Sequence, residues 1–181
     1  MDAERIRDFL RKLPHVQETV QWGNNLVFWV GDKVVGGKMF TVVNLDEDGQ
    51  AVISFSAGPE RYHELLENEG VIPAPYLARI HWVALERWHA LSANELLDLL
   101  KDARDLTYRK LPKRTKDLLA LSPAALQEAV QERRKLLAAR ANEQAAAKAA
   151  AKYAQEAAGK TEAGRKAQAA KKAVKKASRR R

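Results

Sequence analysis

The chain has 181 residues, 46% of them hydrophobic, a net charge of +9 and no cysteine. That length holds one domain of ordinary size with residues to spare, and the apolar share supplies a core to part of it. The missing thiols exclude disulfides and thiolate metal sites, and no apolar run approaches the roughly 18 residues of a membrane span.

Residues 2–13 predict a short amphipathic helix, with Ile6, Phe9, Leu10 and Leu13 on one face and Pro14 as its stop. The charged opening Met1-Asp2-Ala3-Glu4-Arg5 has no apolar stretch behind it, so no leader and a cytoplasmic location are expected. Strand-like runs follow at Leu26 to Val30, Val34 to Val43 and Ala51 to Ser56. In the last, Ala51, Ile53 and Phe55 are expected on one face, with Ser54 and Ser56 on the other. Gly31-Asp32 and Asp46-Glu47-Asp48-Gly49 mark the turns, which makes an antiparallel meander the economical reading. Gly36-Gly37 inside the second run predicts a bulge or a close backbone approach.

A second helix is expected from Pro59 to Asn68, ended at Gly70. Val71-Ile72-Pro73-Ala74-Pro75 holds two prolines and cannot be a regular central strand, whereas His81 to Glu86 predicts a short one. Ser92 and Glu95 form a capping box, with Leu91 and Leu96 as a staple. The helix they start places Leu96, Leu99, Leu100, Ala103 and Leu106 at helical spacing before Pro112 interrupts it. The expected fold class is α+β, an antiparallel sheet with helices packed on one face.

Past Ser122 the composition changes. Ser122-Pro123 is an N-cap followed by an N1 proline, and Ala, Gln, Glu and Lys then dominate. Leu126, Val130, Leu136 and Leu137 are expected to dock the first turns on the domain. The expected division is a globular domain over 1–121 and a tail over 122–181, helical at its start and disordered toward its end. Charge divides at the same place. Residues 1–121 carry sixteen Lys and Arg against eighteen Asp and Glu, a net of −2, while residues 122–181 carry sixteen against five, a net of +11.

Several landmarks together resemble the MmcQ/YjbR family, small bacterial proteins labelled DNA-binding. They are Leu13-Pro14, Trp22-Gly23, Gly37-Lys38-Met39-Phe40, Pro73-Ala74-Pro75-Tyr76, His81-Trp82-Val83, Tyr108 and Leu111-Pro112-Lys113. Thr107-Tyr108 stands where that family commonly has Ser-Tyr. The resemblance implies a frataxin-like fold and a DNA-contacting surface made of loop-and-strand wings. It stops near residue 118. The tail is similar in composition to the Ala/Lys-rich arms of linker histones.

The nucleic-acid-binding candidates are therefore the tail cations Lys160, Arg165, Lys166, Lys171, Lys172, Lys175, Lys176, Arg179, Arg180 and Arg181, opposed between Lys160 and the terminus only by Glu162. Closely spaced cations displace condensed counterions from a phosphate backbone, so the expected partner is nucleic acid, double-stranded DNA first, with association with the nucleoid. A membrane partner is not expected, because the tail has no aromatic or leucine face. A second basic group, Lys110, Lys113, Arg114 and Lys116, with Arg109 beside them, flanks Pro112. It serves equally as a phosphate contact or as helix-end charge against the macrodipole. Trp22, Trp29, Trp82 and Trp88 are expected in or beside the core rather than as base-stacking platforms.

No metal, cofactor or catalytic role is expected. The four histidines form no i,i+4 pair, and on the first helix Asp2, Glu4 and Asp8 alternate with Arg5, Arg7, Arg11 and Lys12, so no acidic ridge for iron exists. There is no nucleophile elbow and no phosphate-cradling glycine loop. The sequence supports a second reading, a protein- or small-ligand-binding domain whose tail only brings it to the nucleoid or ribosome. Oligomeric state is open.

Overall fold

The computed structural model describes the backbone of residues 1–46 and 50–178 and the side chains of 1–46 and 50–152. Asp2 starts the first helix, α1 (Ala3–Lys12), by accepting the Arg5 amide at 2.9 Å, and Ile6 and Leu10 turn fully into the core. Six strands follow: β1 (Val16–Gln21), β2 (Asn25–Val30), β3 (Lys38–Asn44), β4 (Ile53–Ser56), β5 (Val71–Pro73) and β6 (Trp82–Leu85). They form one antiparallel sheet in the order β1-β2-β3-β4-β6-β5. Helix α2 (Gly58–Leu65) lies between β4 and β5 in the chain. After β6 come α3 (Ala93–Arg109), α4 (Lys113–Leu119) and α5 (Pro123–Ser178).

Register sorts the side chains onto two faces. One row, Leu26, Val43, Ile53, Leu85 and Val71, crosses from β2 to β5 and meets Ile6, Leu10, Leu96, Leu99 and Leu100 of α1 and α3 in a single buried cluster. The opposite face carries the row Thr19, Val27, Val42, Ser54, Ala84 and Ile72, one residue from each strand. Its side chains are short, and only a small cluster around Ala74, Trp82 and Ala84 forms there. The fold is therefore α+β, with helices on one face of the sheet and the other face largely open.

The elements differ from the sequence expectations in several places. β1 was not foreseen, because only Val16 and Val20 are large and apolar in it. The strand expected from Val34 begins at Lys38. Asp32 instead accepts the Val34 amide at 2.7 Å and starts a 3₁₀ turn over Lys33–Val35. The register shift lies between Phe28 and Trp29, not at Gly36-Gly37, where the second alternative holds: a Cβ on Gly37 would collide with the Gly31 carbonyl. Ala51 packs with the cluster on the open face rather than with Ile53 and Phe55. The proline-bearing Val71–Pro73 is not a central strand, as expected, but pairs as a short one at the sheet edge, where a missing amide is tolerated. Ser92 caps α3 as expected, accepting the Glu95 amide at 3.3 Å.

The chain divides into two compact units, Met1–Arg133 and Arg134–Arg181. In the first, Leu126 packs against the core and Val130 is buried. In the second, Leu136 and Leu137 are exposed, as is every residue from Arg134 to Lys152. Among the described residues no helix is long and apolar enough to cross a membrane.

Candidate nucleic-acid interface

The basic residues around Pro112 do converge. The chain leaves α3 at Arg109, turns at Pro112 and re-enters α4 at Lys113, so both helix ends present cations within eight residues. Lys116 Nζ donates to the Arg109 carbonyl at 2.8 Å, and Lys38 Nζ, arriving from β3, donates to the Lys110 carbonyl at 3.2 Å. These two ammonium groups satisfy carbonyls that the end of α3 leaves open. Part of the cluster is thus committed to the helix end, while Arg109, Lys110, Lys113 and Arg114 are exposed. Lys38 was not foreseen here, because only the sheet register brings it to the end of α3.

Beneath the cluster lies Tyr108. His15 stacks on its ring at 6.0 Å with a 12° interplanar angle, while Arg104 and Lys116 approach it at 5.0 and 5.7 Å. Burial, and then the Arg104 charge, push the His15 imidazole below its ordinary range, so the neutral form is favoured beside the cations. From the middle of α1, Arg7 grips Glu18 of β1 with two hydrogen bonds, of 2.7 and 2.6 Å. The bond from Arg7 is the main cause that holds the Glu18 carboxyl below the usual range, and the same bond raises Arg7.

The open sheet face holds the second feature, a groove of about 660 Å³. Val42 and Ser54 lie in its floor, Trp22, Asn25 and Asn44 at one end, and Pro75, Tyr76 and Leu77 at the other. Among the described residues its lining contains no charged one. Trp82 and Trp29 are buried as expected, the latter donating from Nε1 to Thr19 Oγ1 at 2.9 Å. Trp22 departs from that expectation and is 65% exposed. The groove was not foreseen; aromatic residues placed in turns, Trp22 before Gly23 and Tyr76 after Pro75, are the signal that could have shown it.

The tail cations from Lys160 to Ser178 lie outside the described side chains, and Arg179, Arg180 and Arg181 outside the described residues. Among the described residues no group of three His, Cys, Asp or Glu is placed to hold a metal ion.

Fold and surface define the class first: an α+β domain with a basic helix end and an uncharged groove on its open sheet face. The YjbR family profile matches residues 11–106, more than half of the chain, and the chain belongs to the YjbR family. Among solved structures it is similar to a Deinococcus radiodurans protein with the DUF419 domain, at 26% identity and a TM-score of 0.58, over 67% of this chain and 89% of that one. A Pseudomonas syringae protein matches at 21% identity and a TM-score of 0.48, over 59% of this chain and 99% of its own. No curated protein matches.

Proposed function

We propose that this protein binds nucleic acid, double-stranded DNA first, without reading its sequence, and that the cationic tail supplies most of the affinity. The observation that carries this reading is the charge division: a net of −2 over residues 1–121 against +11 over 122–181. A chain region with ten cations and one acid in its last 22 residues releases counterions at each phosphate it meets. Arg109, Lys110, Lys113 and Arg114 add a smaller contact on the domain. We read the role as binding rather than catalysis, and the place of action as the nucleoid.

The groove favours a second reading, a domain that holds an uncharged small ligand while the tail only localises it. A gel shift separates the two. The full chain should retain a nonspecific duplex at moderate salt, and a chain ended after Arg133 should lose most of that binding. Near-full affinity in the shortened chain overturns the primary role of the tail.

A further inference from the structure

The groove on the open sheet face has a pattern of donors and acceptors that narrows its occupant. Asn25 and Asn44 stand directly opposite each other on β2 and β3, both in its lining. Asn25 Nδ2 donates to the Trp22 carbonyl at 2.9 Å, which leaves Oδ1 as the acceptor it offers. Asn44 Oδ1 accepts the Asp46 amide at 2.9 Å, which leaves Nδ2 as the donor it offers. The turn hydrogen bonds thus fix both amide orientations and set one acceptor beside one donor.

Two aromatic side chains line the groove, Trp22 beside that pair and Tyr76 at the far end. Trp22 is 65% exposed and Tyr76 wholly exposed, and each sits in the left-handed region, at φ of 51° and 62°. Large residues other than glycine adopt that conformation uncommonly, and such strain gathers at binding sites. A floor of short side chains, a described lining without charge, exposed rings and an adjacent acceptor and donor match a flat, uncharged, hydrogen-bonding heterocycle. Each nucleobase presents a neighbouring donor and acceptor on its Watson–Crick edge. The volume lies within the range of small-ligand pockets. A paired base has its edge occupied and its faces stacked, so only an unpaired one fits.

We infer that this groove takes an unpaired nucleobase of a single-stranded segment, stacked on Trp22 and hydrogen-bonded by Asn25 and Asn44, with Tyr76 at the far end offering its ring to a neighbouring base. The inference rests on the nucleic-acid reading only for how the base arrives, since the described lining of the groove carries no cation to draw a phosphate. Charge complementarity divides the work: cations elsewhere in the chain hold phosphate, and the groove holds the base. Because any base offers the required pair of groups, the site tolerates sequence while discriminating single strand from duplex.

The test uses the full-length protein. Adenosine and cytidine, which carry no phosphate, are titrated while the Trp22 indole N–H and the Asn44 side-chain amide are followed by NMR. Both signals should shift. Asn44→Asp keeps the bond from the Asp46 amide but loses the donor, and should abolish the shift of the Trp22 signal, the one probe that remains in this variant. In anisotropy at one salt concentration, a 12-nucleotide single strand should bind more tightly than its duplex. Trp22→Ala and Tyr76→Ala should each weaken single-strand binding about tenfold, the usual cost of one stacking platform, with duplex binding unchanged. Nucleosides that still shift both signals in a protein that binds neither strand would sustain the pocket while removing the nucleic-acid reading. Unmoved signals with wild-type single-strand binding in both alanine variants would overturn the pocket, even with duplex binding intact. Shifts produced by octanoate and not by nucleosides would assign the groove to an acyl chain and overturn it equally.

Discussion

Arg104 donates from Nε at 3.0 Å and from Nη2 at 2.6 Å to the carbonyl of Pro14, ninety residues earlier in the chain. Its third nitrogen, Nη1, holds Asp105 at 2.7 Å. This buried guanidinium ties α3 to the turn between α1 and β1. Arg104→Ala should therefore destabilise the domain by about 2 kcal/mol, the usual scale for losing hydrogen bonds to a charged donor. Urea unfolding of the variant and the parent measures the difference. A loss below about 0.5 kcal/mol, the ordinary surface range, would mean that water replaces the guanidinium at no cost.

Two groups near that junction make stability pH-dependent in the same direction. The folded-state pKa of His15 lies below its ordinary value of 6.5, so the unfolded chain binds the proton more readily. Its contribution is complete above pH 6.5 and is lost as pH falls through the lower folded value. The Glu18 carboxyl is also depressed, below 4.5, so its contribution is present above that pH and disappears as pH falls through its folded value. Stability should thus decline on acidification in two steps. His15→Gln should remove the upper step, and Glu18→Gln the lower. An unchanged pH profile in either variant would reject that assignment.

Thr41 is fully buried, and its Oγ1 is the one buried side-chain polar atom without a partner among the described residues. It lies between Phe28 and Phe55 in the register of β2, β3 and β4, where no donor or acceptor reaches it. Thr41→Val replaces the hydroxyl with a methyl of similar size. Removing an unmet polar group should stabilise the domain by about 1 kcal/mol. A thermal melt should then shift upward by roughly 4 °C. A lower midpoint would show that the hydroxyl has a partner in solution.

The helical face of the fold was legible because its periodicity is strong. Ile6 and Leu10, then Leu96, Leu99, Leu100 and Ala103, recur at helical spacing, and each is buried. The strands with alternating large residues were legible for the same reason, Ile53 and Phe55 among them. β1 was not, since an exposed edge strand carries little apolar signal, and neither was Lys33–Val35, where the Asp32 side chain outweighs two valines of high strand propensity. The basic group near Pro112 was visible as charge, but Lys38 joins it only through tertiary pairing. The groove was the least legible feature. It depends on which of six strands are neighbours, and on two aromatic residues in turns that composition alone assigns to a core.

The last expectation ties the tail's charge to a measurable slope. If the cations from Lys160 to Arg181 bind as a string of point charges, log K should fall linearly with log salt, at about 0.9 units for each phosphate neutralised. Ten cations, not all engaged at once, correspond to roughly six to nine contacts and a slope of about −5 to −8. Replacing Lys171, Lys172, Lys175 and Lys176 with alanine keeps helix propensity, because alanine is the better helix former. The four changes should therefore act through charge and flatten the slope by roughly three to four units. They should also weaken unrelated duplexes about equally, since phosphate contacts carry no base information. Fluorescence anisotropy across a salt series on two unrelated duplexes measures both effects. An unchanged slope in the quadruple variant, or a loss confined to one duplex, would shift the binding to the domain and to the exposed cations Arg109, Lys110, Lys113 and Arg114.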